Sequence, residues 1–148
     1  MRDVKQIIIH CSASNFGNCK LINEWHIKRG WDEVGYNYII PNGYSTNKAY
    51  ENKKEDILDG EIEIGRDLEK IPAHVYRHNR DSIGICLIGY DEDDFTNPQL
   101  ISLSTLCIKL MKDYNLTTKD IFCHYQYDNS KSCPGMEIEK IRRMVELS

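Results

Sequence analysis

Residues 82–89 read SIGICLIG, an apolar run that carries no charge. A short run rich in β-branched residues, without a helical period, predicts a strand buried on both faces, as found inside a parallel sheet. VKQIIIH, Val4–His10, is a second such run and ends in a histidine. YNYII, Tyr36–Ile40, is a third and is closed by Pro41. EIEIGR, Glu61–Arg66, alternates and predicts an edge strand, while DIFCH, Asp120–His124, is a last short strand that again ends in a histidine.

Helical signals separate these strands. Lys20–Arg29 places Ile22, Trp25, His26 and Arg29 at helical spacing, and Gly30 follows as a stop. TNPQ opens a helix with Pro98 in its first turn, continued by Leu100, Leu103, Leu106, Leu110 and Met111 to Tyr114. Glu137–Glu146 closes the chain as a helix with Ile138, Ile141 and Val145 inward. Strands alternating with helices predict an α/β fold, a single domain over residues 1–148 with a mixed central sheet flanked by about three helices. Asn42–Asp59, with its NG, STN, ENKKED and DG segments, is expected to be a mobile polar loop or extended hairpin.

Composition narrows the function classes. The chain has 148 residues, 41% hydrophobic and 28% charged, enough for one domain with a real core. A net charge of -4 argues against an electrostatic nucleic-acid binder and gives no general attraction to an acidic polymer, so any such ligand needs a local site. No apolar run approaches the length of a membrane span. Met1–Gln6 carries Arg2, Asp3 and Lys5 and does not read as a secretory signal, so synthesis in the cytoplasm is the expectation. Cysteines at 11, 19, 86, 107, 123 and 133 lie scattered in apolar patterns. They are read as reduced thiols with one used for metal, although their even number leaves disulfides open.

Metal chemistry singles out three residues. His10 and His124 each end a strand, where open α/β sheets build their sites, and Cys133 follows in a loop. Two imidazoles and one thiolate suit zinc with a fourth position left for water or substrate, which describes a catalytic site. Taken singly, each of these residues has a structural explanation. A separation of 114 positions (124 − 10) cannot be recognised by spacing. Cys11 is excluded as a ligand because alternation turns its side chain to the other face from His10.

IIIHCSAS, GWDEVGYNYII, SIGICLIG and FCHYQYDNSKSCPG occur in this order. Together they resemble the zinc-dependent N-acetylmuramoyl-L-alanine amidases, a family that includes the amidase-type phage lysozymes and is related to animal peptidoglycan recognition proteins. The resemblance runs from about Val4 to about Val145. It implies one zinc ion held by His10, His124 and Cys133. Tyr36 and Lys131 are implied as the residues that assist catalysis, Lys131 as a cation for the oxyanion and Tyr36 as a donor or water-positioning group. His74, in the PAH segment, is implied to line a substrate groove, and His78 and Asn79 sit in the same stretch as candidate substrate contacts. His26 is expected to be a structural or surface histidine, and Trp25 and Trp31 packing residues. The partner so implied is peptidoglycan or a muropeptide, acted on by a monomer.

The central strand has Ile85, Cys86, Leu87 and Ile88 where some cytoplasmic members carry a catalytic glutamate. That departure favours the phage-lysozyme branch, with lysis of the cell wall after cytoplasmic synthesis. Cytosolic recycling and an antibacterial effector role stay open. Two other readings compete: a recognition module that binds peptidoglycan without hydrolysis, and a thiol hydrolase with Cys133 as nucleophile and His124 as base.

Overall fold

The computed structural model describes residues 1–148. Five strands form one sheet: β1 Gln6–Cys11, β2 Tyr38–Ile40, β3 Glu63–Ile64, β4 Ser82–Leu87 and β5 Ile121–Cys123. Four α-helices accompany them: α1 Cys19–Lys28, α2 Asn47–Glu51, α3 Asn97–Tyr114 and α4 Ile138–Glu146. The strand order is β3-β2-β4-β1-β5, so the two most apolar runs of the sequence lie side by side in the interior. β1 runs parallel to both β4 and β5, and β2 runs parallel to β4. Only the β2–β3 pair is antiparallel, which makes the sheet mixed as expected.

Alternation along the strands divides the core. Ile7, Ile9, Ile83, Ile85 and Leu87 face Leu103, Leu106 and Leu110 of α3 and Ile141 and Val145 of α4. The opposite face carries Ile39, Cys86 and Ile88 against Ile22 of α1 and Val34. His10 pairs with Cys86 in the β1–β4 register, which sets its side chain on this second, less covered face. The sheet is therefore coated by two helices on one side and by one on the other, leaving room beside α1 for a cleft.

Helix α3 shows how local sequence fixes an element. Thr96 caps it and Gln99 completes a reciprocal capping box, with Pro98 in the first turn. The fully buried Gln99 also donates to the carbonyls of Ile40 and Ile88, both at 2.9 Å, clamping the helix start to the ends of β2 and β4. Asn115 ends the helix in a left-handed conformation.

Asn42–Asp59 departs from expectation, because it folds into a fastened structure with its own short helix. Thr46 caps α2. The Asp56 carboxylate accepts from the Ser45 N–H at 2.8 Å, and the Asp56 N–H donates to the Gly43 carbonyl at 3.0 Å. The segment is tied to the rest of the domain by Asn42 Nδ2 donating to the Asn15 carbonyl at 2.9 Å and by the Gly17 N–H donating to Tyr44 at 2.8 Å. Polar side chains here bond to backbone groups, a pattern that polarity alone does not reveal.

Candidate metal centre and cleft

β1 delivers His10 one residue before its end, and His124 follows β5 directly. Cys133 lies in the loop between β5 and α4. The chain thus brings together, from opposite ends of the sequence, donor atoms of His10, His124 and Cys133 that all lie within 4.8 Å of one another. The His10 and His124 rings stand 4.6 Å apart between centroids. Cys133 Sγ accepts a hydrogen bond from the Cys11 N–H at 3.0 Å. A backbone donor aimed at sulfur favours the thiolate form that binds metal.

Electrostatics prepare the donors. Burial first, then the neighbouring His74 and His124, hold His10 well below the ordinary imidazole range. Burial also lowers His124. Both imidazoles are uncharged at neutral pH and keep a lone pair for a cation. Contact with the Cys11 thiol, and then burial, push Cys133 upward. Without a cation Cys133 is a neutral thiol, whereas a coordinated metal ion deprotonates it outright. Alternation placed Cys11 outside the donor set, and there it lies, yet it abuts the sulfur of Cys133.

A cleft of about 470 Å³ opens over this cluster, with Tyr36, His74 and Lys131 in its walls. The Tyr36 ring stands 5.0 Å from that of His10, and burial drives its hydroxyl well above the ordinary phenol value, so it stays a donor. The charged residues of the lining are Arg29 and Lys131, with no Asp or Glu among them. An acidic chain therefore presents a cationic cleft.

His74 reaches the cleft but is engaged behind it: its Nδ1 is 2.6 Å from His10 Nε2 and its Nε2 is 2.8 Å from Ser82 Oγ. Burial lowers it to about 3. Asn79 directs its amide oxygen into the loop, accepting from the N–H groups of His74 at 2.8 Å and Val75 at 2.9 Å. His78 stacks on Tyr127 at 4.0 Å and borders an adjoining depression with His124 and Asp128. His26 is a buried structural residue, as expected, accepting from the Gly35 N–H at 2.9 Å. Trp31 packs on His26 but is 40% exposed and lines the cleft, so it is more than a packing residue.

The N-acetylmuramoyl-L-alanine amidase family matches residues 1–136. The chain belongs to this family. The amidase is 29% identical to an endolysin of Klebsiella phage KP32 over 148 residues, covering 94% of this chain and 85% of the relative. It is 31% identical to the endolysin of Escherichia phage T7 over 144 residues, covering 90% and 82%. Among solved structures, the amidase LysC from Clostridium intestinale superposes with a TM-score of 0.80 at 26% identity, covering 98% of this chain and 87% of that one. A peptidoglycan recognition protein LE, solved in complex with tracheal cytotoxin, shares the fold at 24% identity, with a TM-score of 0.71 over 99% of this chain and 79% of that one.

Sequence reading of the amidase missed the contributions of Ser82, Arg29 and Trp31, and of Tyr90, which also lines the cleft. Arg29 sits at the end of α1, and Trp31 and Tyr90 come from loops whose approach to the cleft no periodicity encodes. Ser82 opens β4 and looked like any strand terminus.

Proposed function

We propose that the amidase uses one zinc ion to hydrolyse the amide between N-acetylmuramic acid and L-alanine, in peptidoglycan or in muropeptides. The observation that carries this reading is the convergence of two uncharged imidazoles and a thiol beneath a cationic cleft. This donor set fits zinc, whose catalytic sites take three protein ligands and keep one position open. A bound zinc would supply Lewis acidity and a water acidified to a pKa of about 7.

The chain's own residues do the rest. His10, His124 and Cys133 hold the ion, with the Cys11 N–H supporting the sulfur. Lys131 brings a compact positive charge to the lactyl carbonyl as its oxygen turns anionic, and the Tyr36 hydroxyl donates or orients water beside it. Arg29 offers a local cation to an anionic peptide stem, which a net charge of -4 does not. His78 and Tyr127 border the path away from His124 and are assigned to substrate contact. Asn79 is assigned to shaping the His74 loop. Residues 1–148 act as one catalytic domain, and the endolysin relatives support a role in cell-wall lysis. No helix is long and apolar enough to cross a membrane.

The relatedness to recognition proteins favours one alternative, a module that binds peptidoglycan without cutting it. The thiol-hydrolase alternative runs against the upward push on Cys133, since a nucleophilic cysteine needs a depressed pKa. The test is digestion of purified peptidoglycan before and after zinc removal, read by mass spectrometry. The expected products are free stem peptides beginning with L-alanine, lost on chelation and restored by zinc. Lys131→Met is expected to lower kcat roughly 10²–10³-fold, as for loss of one oxyanion donor. Binding without released peptide would establish the recognition module, and cleavage that survives complete zinc removal would establish the thiol.

A further inference from the structure

We propose that His74 is a positioning residue: it fixes the ring orientation and tautomer of His10, and so sets how tightly the site holds its metal. The inference rests on the metal reading above and moves His74 from the substrate groove to the support of a ligand.

Protons are ordered along a chain of four groups. Ser82 Oγ lies 3.4 Å from the Asn79 carbonyl, an acceptor for its one proton, and 2.8 Å from His74 Nε2. The opposite sense, Ser82 donating to His74 Nε2, would leave His10 with its proton on Nδ1 and no lone pair for a metal, so the chain runs with Ser82 Oγ accepting from His74 Nε2. With its proton on Nε2, neutral His74 presents a lone pair at Nδ1. That lone pair meets His10 Nε2 at 2.6 Å, so His10 carries its own proton there. Nδ1 of His10 is left bare, so it is the nitrogen this chain assigns to a cation. One backbone carbonyl thus selects the tautomers of two imidazoles.

The packing is arranged for the same end. β4 has a glycine at 84, and a Cβ there would stand 2.8 Å from the His74 ring atoms Cγ and Nδ1. Asn79 pins the His74 backbone from the other side. The ring is therefore held between a strand that lacks a side chain and a loop tied by Asn79.

The experiment measures zinc affinity by chelator competition in the full chain, with folding checked by circular dichroism. His74→Ala is expected to weaken zinc 10–100-fold, the usual cost of losing a partner of a ligating histidine. His74→Asn, whose amide oxygen can accept where Nδ1 did, is expected to restore most of it. Gly84→Ala, which displaces the ring without touching its chemistry, is expected to weaken zinc as well. Long-range ¹⁵N NMR of the zinc-loaded protein should show His10 protonated at Nε2 and metallated at Nδ1, and His74 protonated at Nε2. Unchanged zinc affinity in folded His74→Ala, or His10 metallated through Nε2, would overturn the inference while leaving the metal reading intact. X-ray absorption fitting three imidazoles in the wild type and two in His74→Ala would make His74 a ligand, which also overturns it. A wild type that binds no zinc overturns the metal reading itself.

Discussion

At the scale of single residues, histidines divide the labour by what surrounds them. His26 is the structural one: burial, then the nearby charges of Arg29 and Arg66, lower it to about 4 from 6.5, and the neutral ring accepts from the Gly35 N–H. The folded protein therefore resists a proton that the unfolded chain accepts. Its contribution to stability is complete above pH 6.5 and is lost as the pH falls toward 4. His26→Gln keeps an acceptor but does not titrate. The expected result is a shallower fall in stability over this window, by about one proton's worth of slope, measured by urea denaturation at a series of pH values. From the sequence, His10, His124 and Cys133 were legible only through four blocks of resemblance, since two ligands at strand ends and one in a loop share no period. His74 was read as lining a substrate groove, with no sign in the sequence of what it touches. Its contacts with His10 and Ser82 depend on three segments meeting in space.

At the scale of elements, strands and helices were legible because each carries a local signal, an apolar run, an alternation or a helical spacing, and the ends found lie within two residues of those read. The exception is Asn42–Asp59, where Asx and threonine caps, not periodicity, build α2. Helix α3 illustrates a dependence that sequence could not display. Gln99 reads as an ordinary capping glutamine, yet it also satisfies two strand-end carbonyls in the core. Gln99→Leu fits the space but leaves both carbonyls unpaired. The expected loss is about 2–3 kcal/mol, seen as a melting temperature roughly 5–10 °C lower, with zinc affinity unchanged. A fall in zinc affinity of similar size would mean that the α3 attachment reaches the metal centre.

At the scale of the whole molecule, the mixed sheet and its layers followed from alternating strands and helices, whereas the strand order β3-β2-β4-β1-β5 did not. Which strands become neighbours is settled by long-range pairing, here by setting the two most apolar runs at the centre. A cation bound by both ends of the chain stabilises the folded state over the unfolded one. Zinc at about 100 times its dissociation constant is expected to add roughly 2.7 kcal/mol. Calorimetry should record a rise in melting temperature of about 5–10 °C, reversed by chelation. A melting temperature indifferent to zinc would contradict metal binding at this centre. The same long span carries a consequence for biosynthesis. His10 leaves the ribosome 123 residues before Cys133 (133 − 10), so the nascent polypeptide has no complete donor set until residue 133 has been made. Under the proposed metal reading, a cation is captured only after both distant parts of the donor set have been translated and have folded together.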